Sequence, residues 1–179
     1  MPRNPLLLDA CVAINLAATY RLQHITQAID VTFTLARQAA AEVGYLRDTA
    51  GGDLIRTPID LGQHAGDTLQ IIDLTPPEYP VYLRLAREVD DGEAATIAAA
   101  AHRGLQLATD DRKARRLCTE LRIPEPLRTL ALLRTYADAA ALQHAQLRDL
   151  LIRIRDRASF QPSRSDPDHK WWQDGIDTL

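Results

Sequence analysis

Acidic side chains follow two predicted central strands and open the helix between them. Asp9 ends the run Leu6-Leu7-Leu8-Asp9, Glu93 opens an alanine-rich helix, and Asp110-Asp111 follow the apolar segment 105–108. Because the carboxyl ends of parallel strands meet at one edge of a sheet, these acids are expected to gather there. Gathered carboxylates need a cation, and their hard oxygens suit Mg²⁺ or Mn²⁺ better than zinc. The pattern therefore indicates a metal-dependent site.

Each acid taken alone also has a structural interpretation. Asp9 suits a helix N-cap as well as a ligand, since Asp is favoured at N-caps. Glu42, in Ala39-Ala40-Ala41-Glu42-Val43, is either a solvated helical residue or part of the site. Glu93 fits the first turn of a helix, where the dipole favours acids. Their combination favours the metal site.

Asp110-Asp111 is the strongest local signal in the chain. One acid there would cap a helix, whereas two adjacent acids repel each other unless a cation or neighbouring bases compensate. Arg112 and Lys113 follow directly, so a solvated charge cluster is the alternative to a metal. Thr109 is placed to hydrogen-bond and orient a neighbouring acid.

Four bases follow these acids within about one turn of the next predicted helix. They are predicted to hold phosphates of a single nucleic-acid strand, or else to form a solvated face with Glu120 as partner. Aromatic residues make up only 5% of the chain, so backbone recognition is expected to outweigh base stacking. The four bases are Arg112, Lys113, Arg115 and Arg116.

Composition limits the class of protein. The 179 residues, 46% of them apolar, suit one domain with a sizeable core. The net charge of −3 hides acids at the predicted site and bases just beyond it. Two unpaired cysteines argue against a disulfide framework, and five histidines without ligand spacing argue against zinc. No apolar run is long enough for a membrane span, so a cytoplasmic protein is expected.

Hydrophobic periodicity predicts strands alternating with helices, which is typical of an α/β fold with a mostly parallel sheet. A domain over residues 1–158 and a loosely ordered tail over 159–179 are expected. Gly51-Gly52 marks a loop, and Gly104 is a helix C-cap. Trp171-Trp172 either docks on a partner or second subunit or folds back on the core. Strands are predicted at 5–9, about 31–33, 68–74 and 105–108, and helices at 10–21, 35–47, 77–89, 93–102, 112–121, 130–137 and 139–157.

The order and spacing of four motifs resemble the PIN-domain nucleases, which include the VapC-type toxins of bacterial toxin–antitoxin pairs. The turn Leu127-Arg128-Thr129-Leu130 is similar to the Gly-Thr-Leu turn of one bacterial subgroup, although Arg128 stands where glycine is usual. The resemblance covers nearly the whole chain. Its motifs are Leu8-Asp9-Ala10-Cys11-Val12-Ala13-Ile14-Asn15-Leu16, Ala41-Glu42-Val43, Gly92-Glu93-Ala94-Ala95-Thr96-Ile97-Ala98 and Ala108-Thr109-Asp110-Asp111-Arg112-Lys113-Ala114-Arg115.

The resemblance implies a Rossmann-like three-layer α/β/α sandwich, Mg²⁺- or Mn²⁺-dependent endoribonuclease activity and often a homodimer. Glu93 matches an acid that is aspartate in many members, and its longer reach would shift the metal. Asp90 and Asp91 either add charge or are solvated. The implied catalytic acids are Asp9, Glu42, Glu93 and Asp111, all metal ligands together with Asp110, while Thr109 and Asn15 support them.

An RNA substrate and an antitoxin partner follow from the same resemblance. The antitoxin would insert a basic side chain among Asp9, Glu42 and Glu93. The alternative is a catalytically silent PIN-like module that binds RNA or protein, with its acids serving only as caps. A receiver-like phosphoacceptor domain is disfavoured, because Asp73 and Lys113 are poor matches to its aspartate and lysine.

Overall fold

The computed structural model describes residues 3–50 and 53–177. The predicted Gly51-Gly52 loop and the last two residues of the predicted tail lie outside the described residues. Short 3-10 helices occupy Leu61–His64 and Pro76–Glu78. The strands are Asn4–Leu8 (β1), Val31–Ala36 (β2), Tyr45–Ala50 (β3), Asp53–Pro58 (β4), Leu69–Ile72 (β5) and Gln106–Ala108 (β6). The α-helices are Ala10–Ala17 (α1), Leu22–Ala28 (α2), Arg37–Glu42 (α3), Tyr79–Leu85 (α4), Asp91–Arg103 (α5), Arg112–Glu120 (α6), Thr129–Ala139 (α7), His144–Arg157 (α8) and His169–Asp177 (α9).

Four strands form a parallel sheet in the order β5-β2-β1-β6. Leu6 of β1 pairs with Phe33 of β2, and Leu7 pairs with Leu107 of β6. The chain thus moves from β1 to one side of the sheet for β2 and β5, then returns to the other side for β6. Such a reversal opens a crevice at the carboxyl ends of β1 and β6, where α/β proteins bind ligands.

Alternate side chains of the sheet enter two separate cores. Leu6 and Leu8 pack in a core that includes residues of α1, α2, α7, α8 and α9. Leu7 and Leu107 pack in the other core, with residues of α4, α5 and α6. A parallel sheet covered on both faces requires apolar residues at consecutive positions, as in Leu6-Leu7-Leu8. The predicted three-layer α/β/α sandwich is confirmed.

The helix predicted over 35–47 is wrong at both ends. Strand β2 continues through Ala36, and α3 covers only Arg37–Glu42. The backbone leaves the helical region at Val43 (ψ 107°), and the chain enters the antiparallel hairpin β3–β4. Gly44 disfavours further helix, and Leu46 on β3 is buried in the main core. The burial of Leu46 depends on contacts with distant parts of the chain, which the local sequence pattern does not show.

The helix predicted over 10–21 is in fact interrupted. Thr19 donates its hydroxyl to the Leu16 carbonyl, and Tyr20 adopts a left-handed conformation (φ 56°). The chain therefore ends α1 and begins α2 at Leu22. The helix predicted over 77–89 likewise ends early, at Leu85. The other predicted helices and strands are present with shifted ends.

The C-terminal segment is not a loosely ordered tail over the part described. Residues 169–177 form α9, and Trp172 is only 6% exposed in the main core. Its ring stacks edge-to-face on Phe160 at 5.4 Å between centroids, and Gly175 lies against Leu151. Of the two roles considered for the tryptophans, Trp172 therefore folds back. Trp171 and Trp172 are adjacent and show no helical periodicity, so the sequence did not predict α9.

Neither a disulfide nor a membrane span occurs in the described part of the chain. Cys11 and Cys118 are both free thiols, as their spacing predicted. No helix within residues 3–50 and 53–177 combines the length and apolar character needed to cross a bilayer.

A buried ion pair fixes α5 against the segment before α4. Glu78 is fully buried and accepts bonds from Arg103 Nε (2.5 Å) and from Arg103 Nη2 (2.8 Å). The Arg103 guanidinium lowers the pKa of Glu78 to about 2, and the Thr75 N–H also bonds the carboxylate. The pair holds the C-terminal end of the helix whose first turn carries Glu93.

We expect Arg103→Met to lower the free energy of unfolding by about 3 kcal/mol, because it leaves the Glu78 carboxylate buried without a counterion. Urea unfolding at pH 7 measures the loss. The matched control is Arg37→Met, whose partner Asp73 is also bound by two nitrogens but is 69% exposed. That change should cost much less, because solvent screens the exposed pair. Equal losses in the two variants would contradict the role assigned to burial.

Candidate active site

Asp9 lies at the crevice between β1 and β6. Its backbone N–H donates to the Ala108 carbonyl (3.1 Å), so the strand pairing extends to the carboxylate. The side chain is buried, at 3% exposure, and its Oδ1 accepts from the Val12 N–H (2.9 Å) to cap α1. Burial raises the pKa of Asp9 to about 6 despite these bonds. Asp9 is thus an N-cap and also stands at the edge where a ligand would bind.

Thr109 connects two of the predicted acids. Its hydroxyl donates to Asp9 Oδ2 and accepts from the Asp111 backbone N–H (3.1 Å). The residue is buried between them. Thr109 therefore orients Asp9 and fixes the turn that carries Asp111.

Asp110 is bound through both carboxylate oxygens to Thr129. Its Oδ1 accepts from the Thr129 N–H (2.9 Å), and its Oδ2 accepts from the Thr129 hydroxyl (2.6 Å). Asn15 donates to the Thr129 hydroxyl oxygen (3.1 Å) and, at 3.4 Å, to Asp110 Oδ2. Burial raises the pKa of Asp110, which the Thr129 bonds oppose. These contacts join the end of β6 to the start of α7 and to α1.

Asp111 caps α6. Its Oδ1 accepts from the N–H groups of Lys113 (2.7 Å) and Ala114 (2.8 Å). Oδ2 has no hydrogen-bond partner among the described residues, and the residue is exposed. Asp111 therefore keeps one carboxylate oxygen available at the crevice.

Glu93 is carried by the first turn of α5. Asp90 caps this helix by accepting from the Glu93 N–H (2.8 Å). Within residues 3–50 and 53–177, the Glu93 carboxylate has neither a hydrogen bond nor an ion pair. It is therefore freer to turn than the carboxylates of Asp9 and Asp110.

The electrostatics of Glu93 show that the acids share one negative edge. Desolvation, followed by the charges of Asp90, Asp111, Asp9 and Glu42, raises the pKa of Glu93 to about 7. These acids come from four different segments of the chain. The other three predicted catalytic acids, and also Asp90, thus lie near enough to Glu93 for their charges to raise its pKa.

Glu42 reaches this edge through a contact with a glycine. Its Oε1 accepts from the Gly92 N–H (2.7 Å) at the start of α5. A Cβ at position 92 would lie 2.3 Å from Glu42 Oε2, so only glycine permits this approach. Partial burial raises the pKa of Glu42, while the Gly92 N–H opposes the shift. Gly92 was missed as a site residue, although it adjoins Glu93 in the predicted motif.

The acids fit a divalent cation in charge and in ligand type. They are hard oxygen donors that repel one another, and the oxygens of Glu93 and one oxygen of Asp111 are uncommitted. No three His, Cys, Asp or Glu side chains of the described chain converge closely enough to hold an ion as they stand. Holding an ion with these acids would therefore require side-chain rotation, for which Glu93 has the freedom.

The four predicted RNA-binding bases do not form one free surface. Lys113 donates to the Glu88 carbonyl, and Arg116 pairs with Glu120 (3.4 Å) and Glu88 (3.8 Å). Arg115 is 13% exposed and bonds Glu125 and the Pro126 carbonyl. Among the residues that the structure describes, Arg112 bonds only the Ser163 hydroxyl (3.2 Å). The bases thus differ in their availability to a ligand.

Comparison with known proteins identifies the fold family. A family model of the PIN domain matches residues 6–164, which include every predicted acid. The chain belongs to the PIN-domain family. No curated protein and no solved structure matches it. PIN domains are generally nucleases and typically use divalent metals, so this chain has a nuclease-type fold.

The Glu42–Gly92 contact gives a test of the acidic edge of this PIN domain. We expect Gly92→Ala to weaken Mn²⁺ binding about tenfold, because its methyl group displaces the Glu42 carboxylate. Stability should hold or rise, since alanine favours the helix by about 1 kcal/mol. Isothermal titration calorimetry and urea unfolding give the two quantities.

The matched control is Gly104→Ala at the other end of α5. Gly104 has a φ of 64°, and no atom lies within 4 Å of an added Cβ. Alanine there should cost about 1 kcal/mol through backbone strain and leave Mn²⁺ binding unchanged. Unaltered Mn²⁺ affinity in Gly92→Ala would contradict the role of the contact.

The raised pKa of Glu93 predicts the pH dependence of stability without metal. The folded value of about 7 exceeds the ordinary 4.5, so the native state binds more protons between these values. Stability from this group is therefore lost as pH rises through 7. Glu93→Gln should stabilise the chelated protein by about 1 kcal/mol at pH 8, allowing for solvent screening of this partly exposed group, and by little at pH 4.

Urea unfolding in chelator at pH 4 and pH 8 measures this difference. Glu120→Gln is the control, because Glu120 is exposed on α6 and lies outside the acidic edge. It should change stability by less than about 0.5 kcal/mol at either pH. An equal effect of Glu93→Gln at both pH values would contradict the raised pKa of Glu93, whose causes are desolvation and then the neighbouring carboxylates.

Proposed function

We propose that the protein is an Mg²⁺- or Mn²⁺-dependent endoribonuclease. The main support is the common negative edge, where the charges of four other carboxylates help to raise the pKa of Glu93. Repulsion among these carboxylates lowers the stability of the fold unless a bound cation neutralises them. Its position at the reversal of a parallel sheet is the usual place for a ligand site in α/β proteins.

In this proposal Asp9, Glu42, Glu93 and Asp111 hold the metal. A bound ion would polarise the phosphodiester and activate water. The Val12 N–H and the Thr109 hydroxyl orient Asp9, and the Gly92 N–H orients Glu42. Glu93, whose carboxylate has no hydrogen bond among the described residues, would complete the ligand set.

We assign Asp110 a positioning role in place of the predicted metal ligand. Both its oxygens already accept bonds from Thr129, and Asn15 supports the same group. Asp110 thereby fixes the turn that presents Asp111. Asn15 acts one step further out, through the Thr129 hydroxyl.

RNA as the substrate rests on the resemblance to the VapC-type toxins and on the bases beside the acids. Arg112 and Lys113 lie at the start of α6 and are exposed. Few aromatic residues are available for stacking, so contact with the phosphate backbone is expected to dominate. An antitoxin partner and a homodimer stay predictions of the same resemblance.

The alternative is a catalytically silent PIN module that binds RNA or protein. Two observations favour it. Asp9, Asp90 and Asp111 each cap a helix, which gives them a structural role. The described acids also do not converge as a finished metal site. The two functions differ in whether these acids are needed for cleavage.

A nuclease assay on unstructured RNA separates them. We expect cleavage with Mg²⁺ or Mn²⁺, none in chelator, and at least about a 100-fold loss in Asp9→Asn, since direct ligands should exceed the effect of residues that only support them. Asparagine keeps an oxygen to cap α1, so the variant should fold. Equal cleavage by Asp9→Asn and wild type would remove the nuclease proposal.

The control is Asp138→Asn, an exposed acid near the end of α7. It removes the same charge away from the edge and should leave the rate unchanged. Single-stranded DNA of the same sequence, assayed in parallel, tests the choice of RNA. Faster cleavage of the DNA would overturn that choice while leaving the metal-dependent nuclease intact.

A further inference from the structure

A cavity of about 230 Å³ lies beside the acidic edge. Its lining includes Arg112 and Arg115 of α6, and Arg128 just before α7. The hydroxyl-bearing residues Ser163 and Ser165 come from the segment that leads into α9. Asp110 also lines it, next along the chain to the predicted ligand Asp111. The cavity therefore joins cationic and hydroxyl groups from three segments, and two of its lining residues, Asp110 and Arg112, flank the proposed ligand Asp111 in the chain.

Arg112 is the unneutralised cation of this cavity. It has no carboxylate partner in the described part of the chain, and its single bond is to the Ser163 hydroxyl (3.2 Å). Arg115 and Arg128 are instead paired, with Glu125 and with Asp166 (3.3 Å) respectively. Arg112 is exposed, so its guanidinium, which lacks a counterion among the described residues, is available to bind an anion.

The two acids of the lining are turned toward N–H and hydroxyl donors. Asp110 is satisfied by Thr129, and Asp166 accepts from the Asp168 N–H (2.9 Å) in addition to Arg128. Arg115 and Arg128 are occupied by Glu125 and Asp166, so Arg112 is the guanidinium of the lining without a carboxylate partner among the described residues. This unpaired charge, beside the serine hydroxyls, favours an anionic ligand.

Residues 160–166 form one wall of the cavity, and hydrogen bonds within the segment hold this wall in place. Ser163 Oγ lies 2.8 Å from Ser165 Oγ and accepts from the Ser165 N–H (3.3 Å). The Asp166 N–H donates to the Ser163 carbonyl (2.9 Å). Phe160, at the start of this segment, makes an edge-to-face contact with Trp172 of α9. The serines are therefore held in place rather than dependent on a mobile tail.

Guanidinium and hydroxyl donors in this combination suit phosphate oxygens. The volume is below the range of about 300–1,000 Å³ typical of sites for whole small molecules. It suits a single phosphate group better than a run of nucleotides. We propose, resting on the nuclease function above, that this cavity binds the terminal phosphate of a nucleic-acid strand lying along the acidic edge.

Fluorescence anisotropy tests this with one short RNA in three forms, carrying a 5′-phosphate, a 3′-phosphate or neither. The full chain is used in chelator to prevent cleavage, and again in Ca²⁺. One phosphorylated form should bind about tenfold more tightly than the unphosphorylated form, the gain expected of a charge-assisted hydrogen bond. The phosphorylated form that binds more tightly shows which end of the strand enters the cavity. Equal affinity of all three would overturn the proposal.

Arg112→Gln should abolish this tenfold preference. Arg153→Gln on α8 is the matched control, because Arg153 is paired with Asp149 and does not line the cavity. It should keep the preference. Ser163→Asp is a second test at an exposed position, where the new carboxylate neutralises Arg112 and should have the same effect. A preference retained in both Arg112→Gln and Ser163→Asp, with folding verified by thermal unfolding, would exclude the cavity.

The two proposals fail in different ways. A phosphate preference without cleavage by any divalent metal would leave the subsite standing and remove the nuclease. Cleavage of RNA without a phosphate preference would remove the subsite alone.

Discussion

The protein holds several carboxylates together at one edge of its sheet, and their repulsion is opposed by helix N-termini. Asp9, Asp90 and Asp111 cap α1, α5 and α6, so each accepts bonds from the positive end of a helix. These caps lower the cost of the negative edge without removing it, since the pKa of Glu93 still rises to about 7. Two of the caps, Asp9 and Asp111, are therefore also proposed ligands. Capping fixes one oxygen of each and leaves the edge negatively charged.

The sheet and its acids could be predicted because their signals are local. Leu6-Leu7-Leu8-Asp9 identifies a strand covered on both faces, and the segment before Asp110 does the same for β6. The hairpin β3–β4 could not be predicted in this way. Leu46 is buried by α-helices distant along the chain, and the residues around it fit a helix as well as a strand. The C-terminal helix was missed for a similar reason, because Trp172 owes its burial to tertiary contacts.

The acids of the candidate site could be predicted from the sequence, but their hydrogen-bond partners could not. Position in the chain and family resemblance suffice to select Asp9 and Glu93. The Gly92 contact with Glu42 spans 50 residues, and the Thr129 contact with Asp110 spans 19. Such pairs depend on how α3 meets α5 and how α7 begins. The sequence motif contained Gly92, yet only the distance to Glu42 explains why a side chain there is excluded.

The C-terminal elements belong to the site as much as the sheet does. Asp110 binds the first residue of α7, which fixes the turn carrying Asp111. The segment after α8 returns to place Ser163 against Arg112, the first residue of α6, and Trp172 secures that return in the core. A disturbance of α9 would therefore reach the acidic edge through the segment 160–166 and α6. The fold thus couples the packing of its last helix to the geometry of its most highly charged surface.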